Sequence, residues 1–343
     1  MAEEFANKIK RLELENFTCF GKVAMDFSPG INVFIGENGT GKTHLLKVLY
    51  GLSSGADIKS TILERVFKVF SDSELVKKGK YKSHFVLTYK NELITNEIFE
   101  KPITGALVAE PMAMYMNNNR LFVPTLELLS WFKGFISSYE NRESYIDETY
   151  YYLAKAIDPL PLKGSVLEQQ KPLMVELEEA INAKVIRRGN DFFVAFFDET
   201  KEYPVQVVAT GINKLAQLIY LIMNGSLTKD TILFWDEPEA NLNPKYILVV
   251  SKFLQTLAKA GCQIFVATHD YLLPYELSLF KEYQDAVEEK VPPMKFFTLM
   301  KGEDGTVVES GETMYDLPYD SIMEGHLQFH EKREQLQRSA LKQ

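Results

Sequence analysis

The run Gly36-Glu-Asn38-Gly39-Thr-Gly41-Lys42-Thr43 directly follows the apolar stretch Ile31-Asn-Val-Phe-Ile35. It satisfies G-x-x-x-x-G-K-[ST] without misfit, and Thr43 to Tyr50 behind it reads as a helix. Strand, glycine loop and helix in that order form one unit. The glycines let the backbone curl so that successive N–H groups of Gly36, Asn38, Gly39 and Gly41 point inward at phosphate oxygens. The helix N-terminus faces the same anion. In such a loop Lys42 reaches the β- and γ-phosphates and the Thr43 hydroxyl holds Mg²⁺, which predicts ATP and Mg²⁺ as ligands.

The surrounding chain fits an α/β fold. Ile9–Asn16 alternates apolar and polar residues as a half-buried strand does, and Val23–Phe27 reads as its hairpin partner. Far downstream, Thr231–Trp235 and Gln263–Ala267 are dense apolar runs, the pattern of strands covered on both faces. Helical spacing at Ile247, Val250, Phe253, Leu254 and Leu257 lies between them, so a βαβ crossover in a mainly parallel sheet is predicted. The interval 53–203 reads differently. It holds a hairpin (Ser83–Tyr89 and Glu92–Ile98, turning at Lys90-Asn91), a helical stretch from Leu126 to about Ala156, and a helix near 172–183. Prolines 102, 111, 124, 159, 161 and 172 interrupt it and exclude a long coiled coil. The expected organisation is therefore a core split over 1–52 and 204–343, with an inserted mixed lobe at 53–203. Ile322–Gln343 is expected as a charged terminal helix.

Composition narrows the setting. With 46% apolar residues among 343, the chain has material for a sizeable core. Cys19 and Cys262 are the only cysteines and form neither a disulfide framework nor a zinc pattern, which suits a reducing compartment. No basic-then-apolar leader and no apolar run of ~18–20 residues is present, so a cytoplasmic protein without a membrane partner is expected. The net charge of −9 argues against indiscriminate coating of nucleic acid. Two basic groups, Lys77-Lys78-Gly-Lys80-Tyr-Lys82 and Lys184 with Arg187-Arg188, stay open as solvated loop charges or as a phosphate track.

Chemistry-bearing residues cluster after residue 204. Strand 231–235 ends in Asp236-Glu237-Pro-Glu239. An apolar strand ending in a carboxylate anchors Mg²⁺ in phosphate-loop ATPases, here Asp236, and the next carboxylate, Glu237, is placed to polarise the attacking water. Thr210-Gly211 opens the apolar helix 215–223, Asn243-Pro244 follows the carboxylates, and Thr268-His269-Asp270 ends the next strand. A hydroxyl and a glycine at a helix N-terminus suit a γ-phosphate other than the one held by Lys42, and the His269 imidazole suits contact with a γ-phosphate.

In this joint order the chain resembles ATP-binding-cassette ATPases of the structural-maintenance-of-chromosomes (SMC) and RecF-like branch, over residues 1–50 and about 204–272. Within that branch the short N-terminal hairpin, Asp-Glu-Pro-Glu-Ala and Thr-His-Asp resemble standalone ATPases of bacterial antiphage systems: Septu, PARIS and the ATPase half of overcoming-lysogenisation-defect nucleases. The resemblance implies a P-loop NTPase of ABC/SMC-head type. It makes Thr210 and Gly211 the signature, Asn243 the D-loop position and His269 the switch histidine. It further implies a head-to-tail homodimer around two ATP molecules, with a separate effector protein, a nuclease being one candidate, and nucleic acid as another candidate partner. This chain departs from the family pattern in having Thr210 for serine, Ile212-Asn213 after the glycine, and Asn243 for aspartate. It also has no glutamine from Gly51 through Glu168, where the Mg²⁺-sensing glutamine falls. Three functions compete: a defence switch, a RecF-like DNA-repair ATPase, and a transporter ATPase, which the missing glutamine disfavours. Phe17 and Phe20 are candidates for stacking on adenine or for the core.

Overall fold

Dense apolar strands fold only where both faces can be covered, and the central strands show this residue by residue. In the computed structural model, which describes residues 8–53, 76–78, 80, 82–89, 92–99, 120–142, 146–286, 290–319 and 321–340, β3 (Ile31–Gly36) is buried at every position. Ile31, Val33 and Ile35 enter one core and Phe34 the other. The same alternation holds in β10 (Ile232–Asp236), where Leu233 and Trp235 oppose Ile232 and Phe234, and in β11 (Gln263–Ala267), where Ile264 and Val266 oppose Phe265 and Ala267. Beneath α1 (Lys42–Ser53) the rings of Phe34, Phe265 and Phe234 stack, with Phe234 and Phe265 centroids 5.1 Å apart.

The elements between these are β1 (Ile9–Phe17), β2 (Phe20–Asp26), β4 (Lys82–Tyr89), β5 (Glu92–Phe99) and β6 (Arg120–Val123). Next come α2 (Phe135–Arg142), α3 (Glu148–Ile157), α4 (Ser165–Ile181), β7 (Ala183–Arg188), β8 (Asp191–Phe196), β9 (Glu202–Pro204) and α5 (Thr210–Met223). After β10 follow α6 (Pro244–Ala260), β11, α7 (Leu272–Glu282), β12 (Met294–Gly302), β13 (Gly305–Gly311) and α8 (Ser321–Ala340). Ten strands form one sheet in the order β5-β4-β1-β2-β13-β12-β3-β11-β10-β6. From β12 to β6 every neighbouring pair is parallel, whereas β5-β4-β1-β2 is an antiparallel extension. This is the mainly parallel sheet with N-terminal antiparallel strands that the sequence predicts.

Within the interval 53–203, expected as an inserted mixed lobe, three strands join the main sheet. β4, β5 and β6 belong to the main sheet, and β6 is a parallel edge strand beside β10. Its Leu121 and Val123 share a core with α5, and Phe122 packs in the other. The reason is local: a four-residue strand has too short a pattern to announce itself, while its burial beside β10 is decided by the sheet. The helical stretch from Leu126 is also broken, into a 3₁₀ turn at Leu129–Trp131 and the helices α2 and α3. The helix expected near 172–183 begins earlier, at Ser165, and runs through Pro172. Its buried face of Leu173, Met174, Leu177 and Ile181 compensates for the bond that proline cannot donate, and left-handed Asn182 ends it. Prolines 102 and 111 and the turn at residues 90–91 lie outside the described residues. No described helix is long and apolar enough to cross a membrane.

A three-stranded antiparallel sheet, β7-β8-β9, sits over α5. Arg187 pins it. The guanidinium donates to the carbonyls of Ile157 (3.0 Å) and Asp158 (2.7 Å) and to Tyr220 Oη (2.9 Å), and lies over the rings of Phe132, Phe192 and Tyr220. Its side chain is 5% exposed, so these bonds satisfy a buried cation. Arg187→Ala is expected to lower the unfolding free energy by about 3 kcal/mol, the scale of lost charge-assisted hydrogen bonds and aromatic contact. Urea titration with an unchanged m-value checks it; a change under 0.5 kcal/mol would contradict this role.

Candidate active site

Parallel pairing carries the C-terminal ends of β3, β11 and β10 to one edge of the sheet, where Gly36, Ala267 and Asp236 end their strands. The phosphate loop leaves β3 there and closes onto α1. Gly41 has φ 95°, and a Cβ at that position would lie 2.4 Å from Cys19 Sγ, so the tip of the β1–β2 hairpin presses on the loop. Glu37, Asn38 and Gly39 form its exposed crest. Lys42 is buried and its ammonium donates to the carbonyls of Gly36 (2.7 Å) and Glu37 (3.0 Å). Burial lowers its pKa, against the raising influence of Glu237, Asp236, Glu239 and Glu37.

Thr43 Oγ1 donates to Asp236, 2.9 Å from Oδ2 and 3.2 Å from Oδ1. Asp236 is 7% exposed, and burial pushes its carboxyl up to about 6, with the Thr43 hydrogen bond opposing that rise. A buried carboxylate beside a hydroxyl at a helix N-terminus is a hard-oxygen donor set that fits Mg²⁺, because the cation neutralises the charge that burial penalises.

The next residue, Glu237, adopts φ 48°, the left-handed region. Its N–H donates to Ala267 O (2.8 Å), and its carbonyl accepts from Lys214 Nζ (2.7 Å). Held so, Glu237 Oε1 lies 3.2 Å from His269 Nδ1. Glu239 Oε1, 3.7 Å from the same nitrogen, accepts from Thr268 Oγ1 (2.8 Å) and from the His269 N–H (3.3 Å). Burial raises the pKa of Glu239.

Thr210 is exposed at the start of α5, where no side chain caps the helix. Gly211 packs against the turn after the carboxylates: a Cβ there would lie 2.8 Å from Asn241 O. Asn243 is exposed and caps α6 by accepting from Lys245 N (3.0 Å). The structure thus brings Lys42, Thr43, Asp236, Glu237 and His269 together. It sets Thr210, Gly211 and Asn243 around a neighbouring turn on the exposed side.

Sequence reading missed Lys214 and Glu239. Lys214 is 2% exposed, donates also to Ala240 O (3.1 Å), and burial drives its pKa down to about 8 against the pull of Glu239, Glu237 and Asp236. A lysine in the first turns of a helix whose later positions are mostly apolar was the available signal. Phe17 and Phe20 are fully buried, so the core reading of both holds and stacking on adenine does not. In the group Lys184, Arg187 and Arg188, Arg187 is turned inward, and Arg188 pairs with Glu202 at 2.6 Å. In the other basic group, Lys77 donates to the Asp304 carbonyl.

Comparison with known proteins agrees with this fold. Residues 8–152 match the family described as AAA ATPase domain, and residues 123–273 the family described as AAA domain, putative AbiEii toxin, Type IV TA system. The chain is similar to DNA replication and repair protein RecF of Streptococcus uberis (42% identical over 21% of this chain and 17% of that protein). RecF of Lysinibacillus sphaericus is 33% identical over 23% of this chain and 21% of its own length. The matches therefore span about a fifth of these relatives. An SMC head bound to the C-terminal winged-helix domain of ScpA superposes with a TM-score of 0.55 at 13% identity, over 90% of this chain and 98% of that one. An SMC head with an extended coiled coil, bound to the ScpA C-terminal domain from Pyrococcus furiosus, gives 0.52 at 14% identity, over 95% and 99%. The fold is that of an SMC head.

Because the folded-state pKa of Asp236 is raised, the native chain binds more protons than the unfolded one between about pH 4 and 6. Ionisation of Asp236 thus costs stability as pH rises through that window, and the full cost remains at neutral pH. Asp236→Asn, without nucleotide or Mg²⁺, is expected to stabilise the chain at pH 7.5 by up to about 3 kcal/mol. The gain should vanish below about pH 4. Denaturant melts at several pH values measure it, and a pH-independent difference would contradict the assignment.

Proposed function

We propose that this chain is an ATP-hydrolysing switch, cytoplasmic and homodimeric, in which two copies close head to tail over two ATP molecules and hydrolysis releases them. The observation that carries the reading is the convergence of Thr43 on Asp236 and of His269 on Glu237 at one strand edge. Lys42 and the loop amides bind the phosphates, while Thr43 and Asp236 hold Mg²⁺, which when bound neutralises phosphate charge. Glu237 orients the attacking water and takes its proton. With His269 Nδ1 facing Glu237, Nε2 is left to meet the γ-phosphate. Exposed Thr210, with Gly211 packed beside Asn241, supplies the N-terminus that meets the partner copy's nucleotide.

In this reading the closed dimer controls a separate effector, a nuclease being the favoured kind, in bacterial antiphage defence. The match over 123–273 to a family described as a putative AbiEii toxin supports that role. The local similarity to RecF favours a second reading, an ATPase that binds DNA in its ATP-bound state.

Lys42→Ala is expected to abolish ATP binding. Glu237→Gln should keep it, reduce turnover at least 100-fold, and accumulate a dimer under ATP that light scattering detects. Wild-type turnover by Glu237→Gln would remove Glu237 as the base. For the DNA reading, ATP-stimulated binding of duplex DNA should weaken steeply with salt; no ATP stimulation at low salt would reject it.

A further inference from the structure

We propose that Asn213 and Gln217, two buried amides on α5, are positioning residues. They clamp the segment 124–131 to the helix that begins at Thr210, and so link the metal-facing edge of the sheet to that helix start. The inference rests on the dimer reading above, in which that helix start meets the partner copy's nucleotide.

The segment begins beside the site. Val123 pairs in parallel with Trp235, so the chain leaves β6 one residue from the level of Asp236. Leu126 N then donates to Tyr150 Oη (3.3 Å) on α3. Leu128 N donates to Gln217 Oε1 (2.7 Å), and Ser130 Oγ accepts from Asn213 Nδ2 (3.1 Å). Asn213 Nδ2 also donates to Val205 O (2.7 Å), which ties in the strand exit that leads to Thr210. Leu128 and Leu129 are buried, so the segment is packed against the core that holds α5.

Asn213 and Gln217 are 1% and 0% exposed, yet each uses only part of its amide. Asn213 Oδ1 and Gln217 Nε2 have no hydrogen-bond partner among the described residues. One is an acceptor and the other a donor, four residues apart on the same helix face. The atoms that hold the segment, Gln217 Oε1 and Asn213 Nδ2, are thus the ones each amide uses. Unused buried hydrogen-bonding capacity costs free energy, so it is retained only where the surroundings over-determine it or a function uses it. Through these bonds a shift of the segment is passed to the helix that begins at Thr210.

The test compares Gln217→Met, which keeps length and removes the acceptor, with Gln217→Glu, which keeps an acceptor at the same reach. Gln217→Met should lower kcat about tenfold while nucleotide affinity, titrated in the Glu237→Gln background, stays within about twofold. Gln217→Glu should recover most of the loss. Unchanged kcat in Gln217→Met overturns the proposal, as does a fall of kcat and affinity together with the melting temperature. Should Gln217→Met not fold, hydrogen exchange of the wild-type chain with and without ATP decides. Protection of residues 126–131 and 210–217 should change together, and no ATP-dependent change in either overturns the clamp. Failure of Glu237→Gln to dimerise under ATP sinks the dimer reading by itself, independently of these amides.

Discussion

The contact between Thr43 and Asp236 joins residues 193 positions apart, and the rest of the structure is arranged so that they meet. Thr43 sits in the first turn of α1, directly after a loop that leaves β3; Asp236 ends β10. Two strands whose ends must coincide need parallel pairing in a fixed register, and β11 supplies it by pairing with both. That in turn demands helices on both faces, since a parallel sheet leaves no solvated side. The two apolar cores, one under α1 and one under α4–α7, are the consequence. A one-residue slip of β10 would exchange its core faces and carry Asp236 away from Thr43.

What the sequence reveals follows from how much of each element is written into its own pattern. β3, β10, β11 and α6 are legible because burial on both faces, or along one helical stripe, leaves a dense apolar signature of five or more residues. The phosphate loop and Asp236-Glu237 are legible because their chemistry admits few residue types. β6 is not legible: Arg120–Val123 is a strand only because β10 offers it an edge. Pro172 misleads for the opposite reason, since a strong local signal is overridden by the packing of Leu173, Met174 and Leu177. Lys214 and Glu239 read as surface charges on type alone. Their burial becomes visible only once α5 is laid against β10 and against the turn that follows it.

That burial explains how the site holds Glu237. A non-glycine residue at φ 48° costs on the order of 1–3 kcal/mol and persists only where its surroundings over-determine it. Here the backbone is fixed from both sides: its N–H bonds to Ala267 at the end of β11, and its carbonyl takes a hydrogen bond from Lys214. The lysine is itself costly, buried with its pKa driven down, yet it sits in the field of Glu239, Glu237 and Asp236. Each unfavourable feature is stabilised by another, so removing one exposes the cost of the next.

This coupling divides the site by stiffness. Lys42, Thr43, Asp236 and Glu239 are buried or half-buried, and each is held by hydrogen bonds to strand ends or to the phosphate loop. Thr210, Asn38 and Asn243 are exposed on helix starts and loop crests. Chemistry that needs a fixed carboxylate and a fixed water favours the first group, because reorganisation at the reacting centre would be lost barrier reduction. Recognition of a second molecule, where it occurs, favours exposed groups such as the second. Lys214 connects the two. It lies on the helix that begins at Thr210 and donates to the backbone of Glu237 and Ala240. A displacement of that helix start therefore reaches Glu237 through one buried ammonium.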